Sequence, residues 1–143
     1  VHNQVIMDYA KRMRHVKNKK VISLHCVRTM DYVYDHLHER IEIGDVAEFA
    51  GVERSYLSKL FHKEVGQTIS GYVMEKKLQT ARNMLLYSDF SCTDISQYLA
   101  FASNSYFTKC FRDRFGSTPS EYRRINYRKH WKEVKSKDCN GLT

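Results

Sequence analysis

The sequence predicts an all-α fold, and three observations predict it. The 143 residues contain one proline, Pro119, and six glycines, so helix breakers are few. Apolar residues recur every three or four positions over long stretches, the period of an amphipathic helix rather than of a strand. An internal repeat with a period of 50 residues divides the centre of the chain into two copies of one short module. Hydrophobic residues make up 42% and aromatics 13%, enough for a packed core. The length suits one domain or two very small ones and leaves too little chain for a typical multidomain enzyme.

The elements follow in order. Residues 1–22 are expected to be a linker or the end of an upstream domain, because the chain begins at Val1 without an initiator Met and so reads as a fragment. Within them KRMRHVKNKK (11–20) holds six basic residues and no acid, and with Val5, Ile6, Tyr9, Met13 and Val16 it has the pattern of an amphipathic helix. A first subdomain is expected over 23–67. Cys26, Met30, Val33 and Leu37 form its opening stripe. Val46, Ala47 and Ala50 face inward from a short helix, Gly51-Val52 turns, and Arg54 to Glu64 forms a second helix stopped at Gly66. Leu78, Ala81 and Leu85 mark a longer helix within 68–87.

A second subdomain is expected over 88–124. Ser91 to Asp94 has capping-box spacing, a hydroxyl followed three residues later by a carboxylate. Ile95, Ser96 and Leu99 face inward, Ala100-Phe101 turns, and Asn104 to Phe115 forms the second helix, stopped at Gly116. Thr118-Pro-Ser-Glu121 repeats the capping box with proline at the first helical position, where a missing N–H does no harm. Residues 125–143 continue as a basic helix and tail carrying Trp131.

The repeat carries most of the functional information. SYLSKLFHKEVGQTISGY (55–72) and SYFTKCFRDRFGSTPSEY (105–122) share eight of 18 positions: Ser55/Ser105, Tyr56/Tyr106, Lys59/Lys109, Phe61/Phe111, Gly66/Gly116, Thr68/Thr118, Ser70/Ser120 and Tyr72/Tyr122. Upstream, one residue out of step, DVAEFAGV (45–52) matches DISQYLAF (94–101) in its polar and apolar pattern. A short helix, a tight turn and a longer helix make a helix-turn-helix. Leu57, Leu60 and Phe61 line the inner side of the first long helix, and Phe107, Cys110 and Phe111 that of the second. The outer sides present Arg54, Ser55, Ser58, Lys59 and His62, then Asn104, Ser105, Thr108, Lys109 and Arg112. Arg and Lys donate to guanine, Asn bonds adenine, and Ser or Thr pairs with either. A plain solvated surface is the alternative, and the duplication of the same polar types at the same angular positions weighs against it.

These residues resemble the DNA-binding domain of the AraC/XylS transcription regulators. The resemblance covers about 23–124 and rests on SYLSKLFHKEVG, the Tyr72…Ala81…Leu85-Leu86 helix, SYFTKCFRDRFGSTPSEYRR and the closing Phe115 to Arg123 motif. It implies two helix-turn-helix subdomains joined by a long linking helix. Double-stranded DNA is then the partner, read in successive major-groove turns. By position, the implied base readers are Arg54, Ser55, Ser58 and Lys59, then Asn104, Ser105, Thr108 and Lys109. Separately from the resemblance, the helix starts and the basic residues near them give Lys63, Thr68, Arg112, Arg114, Thr118, Arg123 and Arg124 as candidate phosphate contacts. The two threonines equally suit plain helix capping, which is compatible with an anion nearby. Activation through RNA polymerase and dimerisation through an N-terminal domain outside this sequence are further implications. Three positions depart from the family: Lys77 stands where arginine is usual, Ala100 where glycine is common, and Glu42 where a hydroxyl cap is usual.

Other classes find little support. The seven histidines show no HExxH spacing, and His36 and His38 fall on different helix faces, so neither a metal nor a cofactor is expected. Cys26, Cys92, Cys110 and Cys139 are scattered and form no CxxC pair, which suits reduced thiols in the cytoplasm. No apolar run approaches the ~18 residues of a membrane span. The rival function is a helical adaptor whose basic faces bind an acidic partner. The net charge of +8 does not decide between them. Residues 45–122, which hold both modules, are neutral overall, while residues 1–44 carry +3 and 123–143 carry +5.

Overall fold

The computed structural model describes residues 21–127; the basic segment 11–20, Trp131, Cys139 and the rest of the tail lie outside them. Among the described residues every regular element is a helix. They run α1 (Leu24–Asp35), α2 (Ile43–Ala50), α3 (Arg54–Val65), α4 (Ile69–Tyr87), α5 (Cys92–Tyr98) and α6 (Asn104–Phe115). Residues 119–127 are also helical and are termed α7. The chain divides into two compact units. Within the described span one comprises residues 21–32 and 43–69, and the other 33–42 and 70–127.

The first unit closes around Cys26, Val46, Ala47, Ala50, Leu57, Phe61 and Ile69, all buried. Thr29 is buried among them, and its hydroxyl is paired by donating back to the His25 carbonyl at 2.8 Å. The start of α1 is tied to the end of α3 by Ser23, whose amide and hydroxyl both donate to Glu64 Oε2, at 3.0 and 2.8 Å. Burial pushes the Glu64 carboxyl up, but the bonds it accepts from Cys26 and Ser23 outweigh this and hold it below its ordinary value. Burial, with the bond to Glu64, pushes the Cys26 thiol up to about 11, so the residue is a protonated packing group. Leu37, expected to close the α1 stripe, lies beyond the helix end at Asp35 and is half-buried in the second unit.

The second unit has the larger core. Leu78, Ala81 and Leu85 of α4 meet Ile95 and Leu99 of α5 and Phe107 and Phe111 of α6. Aromatic rings extend it, with Phe101 against Phe107 (centroids 4.9 Å apart), Phe111 against Phe115 (4.6 Å) and Tyr122 against Phe111 (5.5 Å). Cys92 and Cys110 are half-buried against this core, and Cys26, Cys92 and Cys110 are free thiols. Both capping boxes form. The Asp94 amide donates to Ser91 Oγ at 3.0 Å while the Ser91 amide reaches Asp94 Oδ2 at 3.4 Å. Glu121 and Thr118 make the same exchange, at 3.3 and 3.2 Å, to start α7.

Candidate nucleic-acid interface

In each unit a tight turn aims the longer helix. After α2, Gly51 is left-handed (φ 78°) and the Val52 amide donates across it to the Ala47 carbonyl at 3.1 Å. After α5, Ala100 takes the same left-handed conformation (φ 56°), and Phe101 donates to Ser96 at 3.0 Å. Both are helix-ending turns of the same hydrogen-bonding pattern. One uses glycine and the other forces alanine into the glycine conformation. The departure at Ala100 therefore changes the strain and keeps the geometry.

The longer helices begin on caps that sequence patterning did not single out. Glu53, extended at φ −71° and ψ 143°, accepts from the Ser55 amide at 3.2 Å. Ser103 accepts from the Tyr106 amide at 3.0 Å. Both precede the repeated Ser-Tyr pair by two residues, which is the signal by which they were findable. Both helices end on left-handed glycines, Gly66 (φ 85°) and Gly116 (φ 82°). Between cap and stop, Leu57 and Phe61, or Phe107 and Phe111, are fully buried, and Leu60 and Cys110 are half-buried. This fixes the rotation of each helix about its axis.

That rotation leaves Arg54, Ser55, Lys59 and His62 exposed on α3, and Asn104, Ser105, Lys109 and Arg112 exposed on α6, with Ser58 and Thr108 half-buried at the edge of each face. The Thr108 hydroxyl donates to the Asn104 carbonyl at 2.9 Å. Lys63, Thr68 and Arg124 are exposed, and Thr118 is half-buried as the cap of α7. Within each unit the four base-reading candidates fall on the one outward face.

Two arginines are engaged internally. Arg114 makes a two-pronged bond to Glu75 of α4, with Nε and Nη2 each 2.7 Å from a carboxylate oxygen. That guanidinium holds the Glu75 carboxyl below its ordinary range. Arg123 donates from Nε to the Leu85 carbonyl and from Nη2 to the Ser88 carbonyl, both at 3.1 Å, so it closes the C-terminal end of α4. Nothing in the sequence marks these partners, which lie 39, 38 and 35 residues away. Lys77, only 6% exposed, makes two structural contacts despite replacing arginine. Its ammonium donates to the carbonyls of Glu39 (2.9 Å) and Leu99 (2.6 Å), and burial lowers its pKa. Glu42 turns to Arg40, 2.9 Å away at the surface.

A family model described as a helix-turn-helix domain matches residues 46–125. The chain belongs to the AraC/XylS family. The Xylose operon regulatory protein of Escherichia coli (strain K12) is 35% identical over 100 residues, 70% of this chain and 26% of that protein. The chain thus spans about a quarter of that relative's length. A solved transcriptional regulator with an AraC-type DNA-binding domain, from Chromobacterium violaceum, is 27% identical with a TM-score of 0.68, covering 71% of this chain and 91% of that one. The structure of a xylose-binding transcription activator is 32% identical with a TM-score of 0.68, covering 76% of this chain and 28% of that one. Family and fold are those of AraC/XylS transcription regulators, whose domain serves sequence-specific DNA binding. Among the described residues no helix is long and apolar enough to cross a membrane, and no group of side chains is disposed to hold a metal ion.

Proposed function

We propose that the chain reads an asymmetric double-stranded DNA site through α3 and α6, each in the major groove of one half-site, with the half-sites about one helical turn (~34 Å) apart. The observation that supports it is the pair of outward faces bearing the same polar residue types at equivalent positions: Ser55 with Ser105, and Lys59 with Lys109. Because the module is repeated along one chain, no two-fold axis and no palindrome are needed. Arg54, Ser55, Ser58 and Lys59 read one half-site, and Asn104, Ser105, Thr108 and Lys109 the other. Lys63, Arg112 and Arg124 grip phosphate, with Thr68 and Thr118 at the starts of α4 and α7. Arg114 and Arg123 each engage Nε and one hydrogen of Nη2 internally, which leaves the Nη1 hydrogens and the second Nη2 hydrogen for phosphate.

The family supports the remaining parts of the proposal. These are control of transcription by activation, contact with RNA polymerase, dimerisation through a domain outside this sequence, a bacterial cytoplasmic setting and no catalysis. The test is selection of bound duplexes from a random pool, followed by competition. Lys59→Ala and Lys109→Ala are each expected to relax base preference in their half-site by about 1–3 kcal/mol. Affinity is expected to fall by orders of magnitude between about 50 and 200 mM salt. Full site discrimination by both lysine variants would reject this face as the reader. Salt-insensitive binding with no selected sequence would return the module to a protein-binding role.

A further inference from the structure

Among the differences between the two reading surfaces, such as Arg54 against Asn104 and Ser58 against Thr108, one changes the charge of the helix cap. Ser103, the cap of α6, is neutral, whereas its counterpart Glu53, 50 residues earlier, brings a carboxylate to the leading end of α3. That carboxylate is exposed and fixed by the bond it accepts from the Ser55 amide. This bond, with the Lys59 charge among the lesser causes, keeps it ionised by lowering its pKa. The leading end of a helix docked in the major groove is the part nearest the base edges. A fixed anion there is repelled by phosphate, and the donors it can meet on base edges are exocyclic amino groups.

We propose that Glu53 is a specificity-determining residue of the first half-site, accepting from the N4 amino group of a cytosine at the base pair facing the start of α3. The inference rests on the DNA reading above. It adds a preference that the second half-site lacks at its equivalent position, since Ser103 can donate as well as accept.

The whole chain is compared with Glu53→Ser, Glu53→Gln and Ser103→Glu. Binding is measured to every single-base variant of a site selected by the unaltered chain, with thermal melting recorded for each protein. Glu53→Ser keeps a good cap, so folding is preserved. It is expected to lose discrimination at one base pair by on the order of tenfold, and at no other. Glu53→Gln is expected to move the preference at that pair toward adenine, and Ser103→Glu to create a cytosine preference in the second half-site. Equal tightening on every sequence after Glu53→Ser, with base preference unchanged, would reduce Glu53 to a general repulsive charge and overturn the proposal. If the unaltered chain selects no sequence at all, the DNA reading fails with it. If it selects a site and Glu53→Ser discriminates identically at every pair, this proposal alone fails.

Discussion

At Ala100 the second turn takes a left-handed conformation (φ 56°) that crowds an L side chain by roughly 1–2 kcal/mol. Glycine there relieves the crowding and gives back part of the gain through a more flexible unfolded chain. Ala100→Gly is therefore expected to stabilise the protein by about 0.5–1 kcal/mol, read as a higher urea midpoint with unchanged slope. Gly51 is the converse. A methyl group on it would meet nothing within 4 Å, so Gly51→Ala is expected to cost about 1 kcal/mol through backbone conformation alone. Lys77 is a harder position, because its ammonium satisfies two carbonyls and is itself largely out of water. Lys77→Met fills the space and removes the donor, with an expected loss of about 1–3 kcal/mol by chemical denaturation. Ala100 could be located from sequence, since the repeat aligns it with Gly51. The two carbonyls beneath Lys77 could not, because Glu39 lies 38 residues away and Leu99 22, and neither is a special residue type.

Helix boundaries were the most legible level, for local reasons. Capping boxes at Ser91 and Thr118 and left-handed glycines at 66 and 116 act within four residues of the ends they define, so sequence spacing alone carries them. Helix-to-helix fastening was not legible. Glu75 of α4 and Arg114 of α6 are 39 residues apart, and each looks in sequence like one more surface charge. Their bond sets a pH dependence whose sign is fixed. Since Arg114, chiefly through that bond, holds Glu75 below its ordinary value of 4.5, the stabilisation is present above that value and is lost as pH falls through the lower folded value. Glu75→Gln is accordingly expected to be less stable than the parent at neutral pH, and to lose less stability between about pH 5 and 3 when unfolded by urea. Glu64, also held low, makes a similar contribution in the first unit through its bonds from Cys26 and Ser23. Parent and variant share it, so it cancels in the comparison.

For the molecule as a whole, the duplicated module was legible and aligned α3 with α6 residue by residue, whereas the division of the packing was not, since residues 33–42 and 70–87 join the second unit. The outward face of each unit was legible for the same reason, because buried Leu57 and Phe61, or Phe107 and Phe111, leave their neighbours only one side to occupy. The Glu53 cap shows the limit of that method, since a repeat draws attention to what two copies share and passes over a position such as this one, where they differ. The two-site proposal carries a length prediction. Inserting ~5 base pairs between the half-sites of a selected duplex turns one of them to the far side of the helix, and gel-shift affinity is expected to fall to that of a single half-site. The Arg123 clasp on the Leu85 and Ser88 carbonyls adds a consequence in time. A ribosome delivers the chain from its amino end, and folding follows domain by domain. The described part of the first unit runs no further along the chain than residue 69, whereas the last turn of α4 waits for a guanidinium made 35 residues after Ser88. The second unit is therefore fastened last, and translation halted between those points yields a chain whose α4 lacks the clasp at its C-terminal end.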